Sequence, residues 1–165
     1  MNEPLAEFQL PAIDLAKLAQ VAKAVARTLR SADGLVLTGG LAAGKTQFVK
    51  LLAEALQIKD TVTSPTFTFA HFYSGPELSV LHVDAYRLET PAEFADLALD
   101  DFLENHVIAV EWGANFIDLL PPSLEIELQE ESPTTRRLRF STRAPEWRDR
   151  LYALRAALEA FQPCH

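Results

Sequence analysis

Short apolar runs alternate with longer amphipathic stretches along this chain, a pattern typical of strands that alternate with helices. Asp14 can cap a helix in which apolar residues recur every three or four positions over residues 15–29. We expect this helix to end within residues 31–34. Residues 34–38 then form a continuous apolar run, which predicts a strand buried on both faces of a parallel sheet.

The middle of the chain predicts a hairpin followed by a helix. An alternating run at residues 67–73 and a β-rich run at residues 78–83 flank a Ser-Gly-Pro turn, so we expect two antiparallel strands and a mixed sheet. Pro91 stands at a first helical position, with Glu93 in the first turn. This predicts a helical region that runs to about Asn105.

The last third of the chain predicts five elements. The stripe of large apolar residues that begins at Trp147 is interpreted as core rather than as a cofactor site, because it repeats every three or four positions. The predicted elements are a buried strand at residues 107–110, a short helix at 114–120, antiparallel strands at 124–128 and 136–141, and a helix from Pro145.

Directly behind the first buried strand lies a candidate phosphate-binding loop. Residues 39–46 read Gly-Gly-Leu-Ala-Ala-Gly-Lys-Thr and fit the pattern G-x-x-x-x-G-K-[ST] between a strand and a helix. Backbone N–H groups at the start of a helix attract phosphate, Lys45 adds a full positive charge, and the Thr46 hydroxyl is a candidate Mg²⁺ ligand. The predicted nucleotide contacts are Gly39, Leu41, Ala42, Ala43, Gly44, Lys45, Thr46 and Gln47.

The loop and the order of elements together predict one α/β domain over residues 1–165. We expect a three-layer sandwich of the P-loop NTPase type, with helices on both faces of a mixed, mostly parallel sheet and with antiparallel hairpins.

Composition narrows the possible functions. A net charge of −8 argues against direct binding of a nucleic-acid backbone, which depends on Lys and Arg. No apolar stretch approaches the ~20 residues that a membrane helix needs, and the first residues do not resemble a secretion signal. Cys164 is the one cysteine, so we expect a cytoplasmic protein without an internal disulfide. The four histidines show no ligand spacing, and we assign no transition metal.

Two acidic residues follow buried strands and are candidates to complete the phosphate site. Asp84 follows the run Leu-His-Val, and Glu111 follows the run Ile-Ala-Val. A phosphate-binding loop needs an acid that holds Mg²⁺ and a group that orients the attacking water. Each acid could instead cap its strand or pair with an arginine.

Four segments, taken together, resemble the TsaE (YjeE) family of small bacterial ATPases. Apart from the loop, each motif alone is weakly specific, but the set in this order is highly specific. The segments are the loop at residues 39–46, Ser-Pro-Thr-Phe-Thr at 64–68, His-Val-Asp-Ala-Tyr-Arg-Leu at 82–88 and Val-Glu-Trp at 110–112.

This resemblance implies a part in making N6-threonylcarbamoyladenosine, the modified adenosine beside the anticodon of tRNAs that read codons beginning with A. It implies that TsaD, paired with TsaB, transfers the threonylcarbamoyl group, and that hydrolysis of ATP to ADP by the TsaE protein resets their complex. Contact with tRNA would then be indirect, which agrees with the acidic charge.

The resemblance also assigns roles to single residues. It implies that Lys45 stabilises the β and γ phosphates, that Thr46 and Glu111 hold Mg²⁺, and that Asp84 lies near the γ phosphate. Of the two acids, we assign Glu111 to the metal and Asp84 to the attacking water. Thr66 in a switch-like segment, Trp112 and Arg136 are further candidate nucleotide contacts.

The loop also departs from the family pattern G-D-L-G-A-G-K-T. Gly40 replaces the aspartate, Ala42 replaces the inner glycine, and Gln47 replaces a threonine that often follows. If residue 42 requires a positive φ, alanine costs about 1 kcal/mol there. Two alternatives stay open, a small P-loop metabolite kinase and a nucleotide-gated binding module without catalysis of its own.

Overall fold

The structure is a computed structural model, and it describes residues 3–63 and 69–160. Its strands join in one seven-stranded sheet, in the order β1-β7-β6-β2-β5-β4-β3. The strands are β1 (Ala6–Ile13), β2 (Gly34–Thr38), β3 (Ala70–Tyr73), β4 (Ser79–Asp84), β5 (His106–Glu111), β6 (Ser123–Glu130) and β7 (Arg136–Thr142).

Helices cover this sheet and vary in length. The α-helices are α1 (Leu15–Thr28), α2 (Lys45–Ala55), α3 (Pro91–Ala95) and α4 (Arg148–Glu159), and short 3₁₀ helices occur at Leu99–Phe102, Ala114–Leu119 and Pro145–Trp147. None of the helices in residues 3–63 and 69–160 combines the length and the apolar character that crossing a bilayer requires.

The sheet is mixed, as predicted. Its centre is parallel, because β6, β2, β5 and β4 run in the same direction. Both edges are antiparallel, with β7 and β1 on one side and β3 on the other. The carboxyl ends of β2, β4 and β5 therefore meet at one edge of the sheet, where α/β proteins bind ligands.

Two apolar clusters place helices on both faces of the sheet and confirm the predicted α/β sandwich. The larger cluster joins one sheet face to α1, α2 and α4, and the smaller joins the other face to α3 and two 3₁₀ helices. Trp147 is fully buried in the larger cluster, and its indole N–H donates to the Pro122 carbonyl at 3.1 Å. The stripe that begins there is core, as predicted.

Strand β1 was not predicted. Its residues alternate between buried and exposed, and it pairs antiparallel with β7. Pro11 interrupts the strand pattern, but β1 lies at the edge of the sheet and its register shifts between Leu10 and Ile13. An edge strand tolerates proline at an irregularity, because no neighbour needs the missing N–H. Sequence alone did not show that this segment has a partner 120 or more residues away.

Two helix predictions were wrong in extent. Helix α1 ends at Thr28, before the predicted residues 31–34, because Leu29 adopts an extended backbone. The region from Pro91 to Asn105 is not one helix, since α3 stops after five residues and Ala98 adopts a left-handed conformation with φ 52°. The predicted start is right, because Thr90 and Glu93 form a capping box.

The predicted hairpin is present, with β3 antiparallel to β4 and His71 opposite His82. Residues 67 and 68, which were predicted to begin this strand, lie outside the described residues. Tyr73 is buried, and its hydroxyl donates to the Thr63 carbonyl at 3.2 Å. This contact joins β3 to the chain that follows α2.

Candidate functional site

The phosphate-binding loop connects β2 to α2. Gly39 has φ 141°, and a Cβ on it would lie 2.5 Å from the Leu128 carbonyl oxygen, so no larger residue fits there. Gly44 has φ 107° and immediately precedes the first helical residue, Lys45. These two conformations, which glycine adopts at little cost, turn the chain from the strand into the helix and direct the helix N-terminus toward the loop.

Ala42 carries backbone strain in this loop. Its φ is 60°, in the left-handed region that glycine adopts freely and alanine does not. An alanine in that region costs about 1 kcal/mol. The strain predicted for Ala42 required a positive φ, and the structure has one.

Lys45 is nearly buried, with 6% of its surface exposed, and it spans the loop. Its Nζ donates to the carbonyl oxygens of Gly39 at 2.9 Å and Gly40 at 2.8 Å. The same ammonium lies 4.0 Å from the centre of the Trp112 ring, a cation–π contact. The loop carbonyls and the indole thus hold the charge at the mouth of the loop.

Burial also changes the acid–base behaviour of Lys45. Desolvation lowers its pKa below 10.5, and the negative charges of Glu111 and Asp84 oppose this by favouring the protonated form. The two acids thus act on the lysine from the ends of β5 and β4. A dianionic phosphate beside the ammonium would favour its charged form further.

Three side chains from three elements, two buried and one half-buried, meet at the end of β5. The Thr46 hydroxyl of α2 lies 3.0 and 3.1 Å from the two carboxylate oxygens of Glu111. From β4, Nε2 of His82 lies 2.5 Å from Oε2 of the same carboxylate. Glu111 is 4% exposed and His82 is fully buried, so these contacts are shielded from water.

Asp84 lies beside Glu111 in the parallel ladder, where the two residues are Cα partners. Its Oδ1 accepts the backbone N–H of Tyr86 at 2.9 Å. This contact turns the carboxylate toward the end of the strand rather than back into the sheet. Both acids predicted from the sequence therefore stand at one edge, next to the phosphate loop.

Trp112 and Tyr86 form an aromatic wall. Their ring centres are 5.1 Å apart, and Tyr86 is 57% exposed. Trp112 has φ 61°, which is uncommon for a large residue. Its backbone N–H donates to the Leu37 carbonyl at 3.1 Å. The unusual backbone directs the indole across the end of the sheet toward Lys45.

Arg136 contacts the loop from β7. Its Nε donates to the Ala43 carbonyl at 3.0 Å, and its Nη1 donates to the carbonyls of Ser132 at 3.1 Å and Thr135 at 3.0 Å. The guanidinium joins the β6–β7 turn to the loop. Thr66, another predicted nucleotide contact, lies outside the described residues.

These groups surround a cavity of about 360 Å³. Two predicted contacts, Gly39 within the loop and Arg136 packed against it, are not among the described residues that line the cavity. Gln47, predicted as a contact, is. The lining residues are Leu41, Ala42, Ala43, Gly44, Lys45, Thr46, Gln47, Asp84, Tyr86, Glu111 and Trp112.

The donor set suits Mg²⁺ when a nucleotide is present. Among the described residues, no group of three or more His, Cys, Asp and Glu side chains could hold a metal ion. Thr46 and Glu111 supply a hydroxyl and a carboxylate, the oxygen ligands that Mg²⁺ prefers. Because Mg²⁺ keeps several waters and takes phosphate oxygens, two protein ligands are enough.

Sequence reasoning missed two residues of this site, His82 and Tyr86. A signal for His82 existed, because side chains two residues apart on a strand share a face. His82 therefore had to point to the same side of β4 as Asp84. That Glu111 would lie within reach depended on β4 and β5 being neighbours, which the sequence did not establish.

Comparison with known proteins shows sequence similarity to one protein family. A sequence model of the family "Threonylcarbamoyl adenosine biosynthesis protein TsaE" matches residues 13–138. The chain is similar to proteins named tRNA threonylcarbamoyladenosine biosynthesis protein TsaE. That of Streptomyces coelicolor is 42% identical over 61% of this chain and 70% of its own. That of Bacillus subtilis is 37% identical over 73% and 77%.

A solved structure has the same fold. The crystal structure of Bacillus subtilis YdiB superposes with a TM-score of 0.77, covering 94% of this chain and 98% of its own, at 26% sequence identity. The architecture described above is therefore shared over nearly the whole length of both chains.

Proposed function

This chain belongs to the TsaE family of threonylcarbamoyl adenosine biosynthesis proteins, and we propose that it binds ATP and hydrolyses it, with Mg²⁺, in that biosynthesis. It does not itself transfer the threonylcarbamoyl group. The observation that carries the proposal is the meeting of Lys45, Thr46, Asp84 and Glu111 around one cavity at the carboxyl edge of the sheet.

The loop and the start of α2 bind the phosphates. Backbone N–H groups at a helix N-terminus, with about half a positive charge from the helix dipole, attract anions. Lys45 exchanges its two carbonyl contacts in the loop for oxygens of the β and γ phosphates. Its charge then lies where negative charge develops as the γ phosphoryl group leaves.

Thr46 and Glu111 hold the metal. When bound, Mg²⁺ neutralises phosphate charge and orients the phosphate oxygens. Glu111 is suited to this role because its carboxylate already lies within 3.0 Å of the Thr46 hydroxyl, its partner ligand.

Asp84 orients the attacking water. The backbone N–H of Tyr86 donates to the Asp84 carboxylate and holds it in the cavity. Asp84 lies beside Glu111 in the strand ladder. Water attacks the γ phosphorus, the bond to the β–γ bridging oxygen breaks, and ADP and phosphate leave. A positioned carboxylate that accepts a hydrogen bond from the water directs its lone pair at phosphorus.

The partners are TsaD and TsaB, and the chain contacts tRNA only through them. A net charge of −8 supports this arrangement, because the phosphate backbone of tRNA repels an acidic protein. ATP hydrolysis is weak for the chain alone, since the partners complete the site, and the cycle runs in the cytoplasm.

The test measures ATP hydrolysis by the chain alone and with TsaD and TsaB, beside tRNA modification by the reconstituted set. We expect weak activity alone, stimulation by the partners, and loss of hydrolysis and modification in Lys45→Ala. Modification at the wild-type rate by Lys45→Ala would contradict the proposal. Nucleotide binding without hydrolysis under all conditions would favour a gating module instead, and phosphate transfer to a metabolite would favour a kinase.

A further inference from the structure

His82 has no part in the function proposed so far, yet it is the most completely buried ionisable side chain of the site. It is fully buried on β4, two residues before Asp84, and faces the same side of the sheet. On its other side the ring lies 6.2 Å from that of Tyr73, centre to centre. An imidazole in such a place needs a polar partner to offset the loss of water.

That partner is Glu111. Nε2 of His82 lies 2.5 Å from Oε2 of the carboxylate, a short contact. A carboxylate only accepts hydrogen bonds, so Nε2 carries the proton and donates it. Within the described residues, Nδ1 has no hydrogen-bond partner, so a proton there would be buried without an acceptor. The nitrogen that faces Glu111 is therefore protonated.

This assignment excludes His82 as a metal ligand through Nε2, because the protonated nitrogen has no lone pair to give. It also gives Glu111 two donors from two different elements. Thr46 approaches the carboxylate from α2 and His82 approaches it from β4. The Thr46 hydroxyl is itself a proposed metal ligand. His82 is therefore the donor whose one contribution to the site is to hold the carboxylate.

We propose that His82 is a positioning residue that holds Glu111 in the orientation in which Glu111 and Thr46 bind the metal. The inference rests on the proposed function. Partners that donate hydrogen bonds to metal-ligating carboxylates restrict their rotation, and losing such a partner lowers metal affinity by about 10- to 100-fold. His82 thus acts on metal binding through Glu111 and leaves nucleotide binding without metal unaffected.

Two amide variants make a matched test. In His82→Gln the amide nitrogen sits about where Nε2 sits, so a donor to Glu111 is kept. In His82→Asn the side chain is one methylene shorter and the donor no longer reaches. Mn²⁺, which takes the same oxygen ligands, is the probe. Its binding to the complex with ADP is measured from the electron paramagnetic resonance signal of free Mn²⁺.

We expect His82→Asn to weaken Mn²⁺ binding about 10- to 100-fold and His82→Gln to weaken it far less. ADP affinity measured in EDTA should be the same in both variants and the wild type. Val80→Ala is the control for packing, because Val80 is fully buried two residues earlier on the same strand. It should lower the unfolding temperature and leave Mn²⁺ affinity unchanged.

A double variant checks that the effect passes through Glu111. In the Glu111→Ala background, His82→Asn should cause no further loss of Mn²⁺ affinity. Equal Mn²⁺ affinity in the wild type and His82→Asn would overturn the inference, as would equal losses in the Asn and Gln variants. Neither result would touch the proposed function, which is tested separately by ATP hydrolysis and tRNA modification with the wild type and Lys45→Ala.

Discussion

Two buried carboxylates stand at opposite ends of the central strands, and their surroundings differ in kind. Asp33 precedes β2 and receives both terminal nitrogens of Arg150, at 3.0 and 2.5 Å, in a paired contact. Glu111 ends β5 and receives a hydroxyl from Thr46 and an imidazole N–H from His82. One acid forms a direct ion pair with a guanidinium, whereas the other is in direct contact with no lysine or arginine of the described residues and lies beside a cavity.

The difference separates a structural acid from a functional one. Arg150 also donates to the Thr28 carbonyl and lies over the Trp147 ring, so the pair joins α4 to the end of α1 and the start of β2. Removing either partner would leave a buried charge alone. Glu111 faces the loop, where in the proposed function Mg²⁺ would add positive charge only when nucleotide is bound. Functional sites of this kind lower the stability of the fold, because activity requires an arrangement that is unfavourable for folding.

The largest effect on stability is expected at the structural pair. Asp33→Asn removes the negative charge and leaves the Arg150 guanidinium in a setting where its side chain is 14% exposed. We expect the free energy of unfolding, measured by urea titration, to fall by about 3 to 5 kcal/mol. ATP hydrolysis per folded molecule should not change, because the pair lies at the other end of the strands. A loss of turnover in the folded fraction would break the comparison.

The reverse pattern is expected at Glu111. Glu111→Gln keeps the shape of the side chain but removes the metal-binding charge, so ATP hydrolysis with the partner proteins should fall by about 100-fold. The free energy of unfolding should stay within about 1 kcal/mol of the wild type or rise, since an unneutralised buried charge is gone. A stability loss as large as that of Asp33→Asn would show that Glu111 is a structural acid too.

The smallest effect concerns the strained loop beside the functional acid. Ala42→Gly should relieve about 1 kcal/mol of left-handed strain. The greater conformational freedom of glycine in the unfolded chain offsets about 0.4 to 1 kcal/mol of this, so we expect urea titration to show a net gain between zero and about 0.6 kcal/mol. The control is Ala43→Gly, at a neighbour without positive φ, which should only lose stability. Equal effects of the two changes would show that φ at residue 42 does not matter.

Local patterns predicted most of the fold correctly. Three correct predictions depend on residues close together in sequence: the strand, loop and helix around Lys45, the antiparallel β3–β4 hairpin, and the helix start at Pro91. The predictions that failed depended on distant contacts. Strand β1 forms because it pairs with β7. The left-handed conformation of Ala98 stops a helical region that the apolar pattern alone would continue.

The candidate site divides in the same way. Gly44, Lys45 and Thr46 followed from the loop pattern, and Asp84 and Glu111 followed from their places after apolar strands. Their roles as ligands and base stay predictions. His82 did not follow, because its contact with Glu111 spans 29 residues and requires β4 and β5 to be neighbours. The position of Arg136 behind the loop joins residues 93 apart.

By itself the sequence determined the phosphate loop, the periodicity of the elements and the resemblance to one family, since these depend on residue type and short spacing. The resemblance paired Thr46 with Glu111, but only the tertiary structure shows that the two side chains are in direct contact. They are 65 residues apart and come together through the order of the strands. The tertiary structure also decided that a buried histidine holds that acid. Strand order follows from how the whole core packs, and no local pattern contains that information.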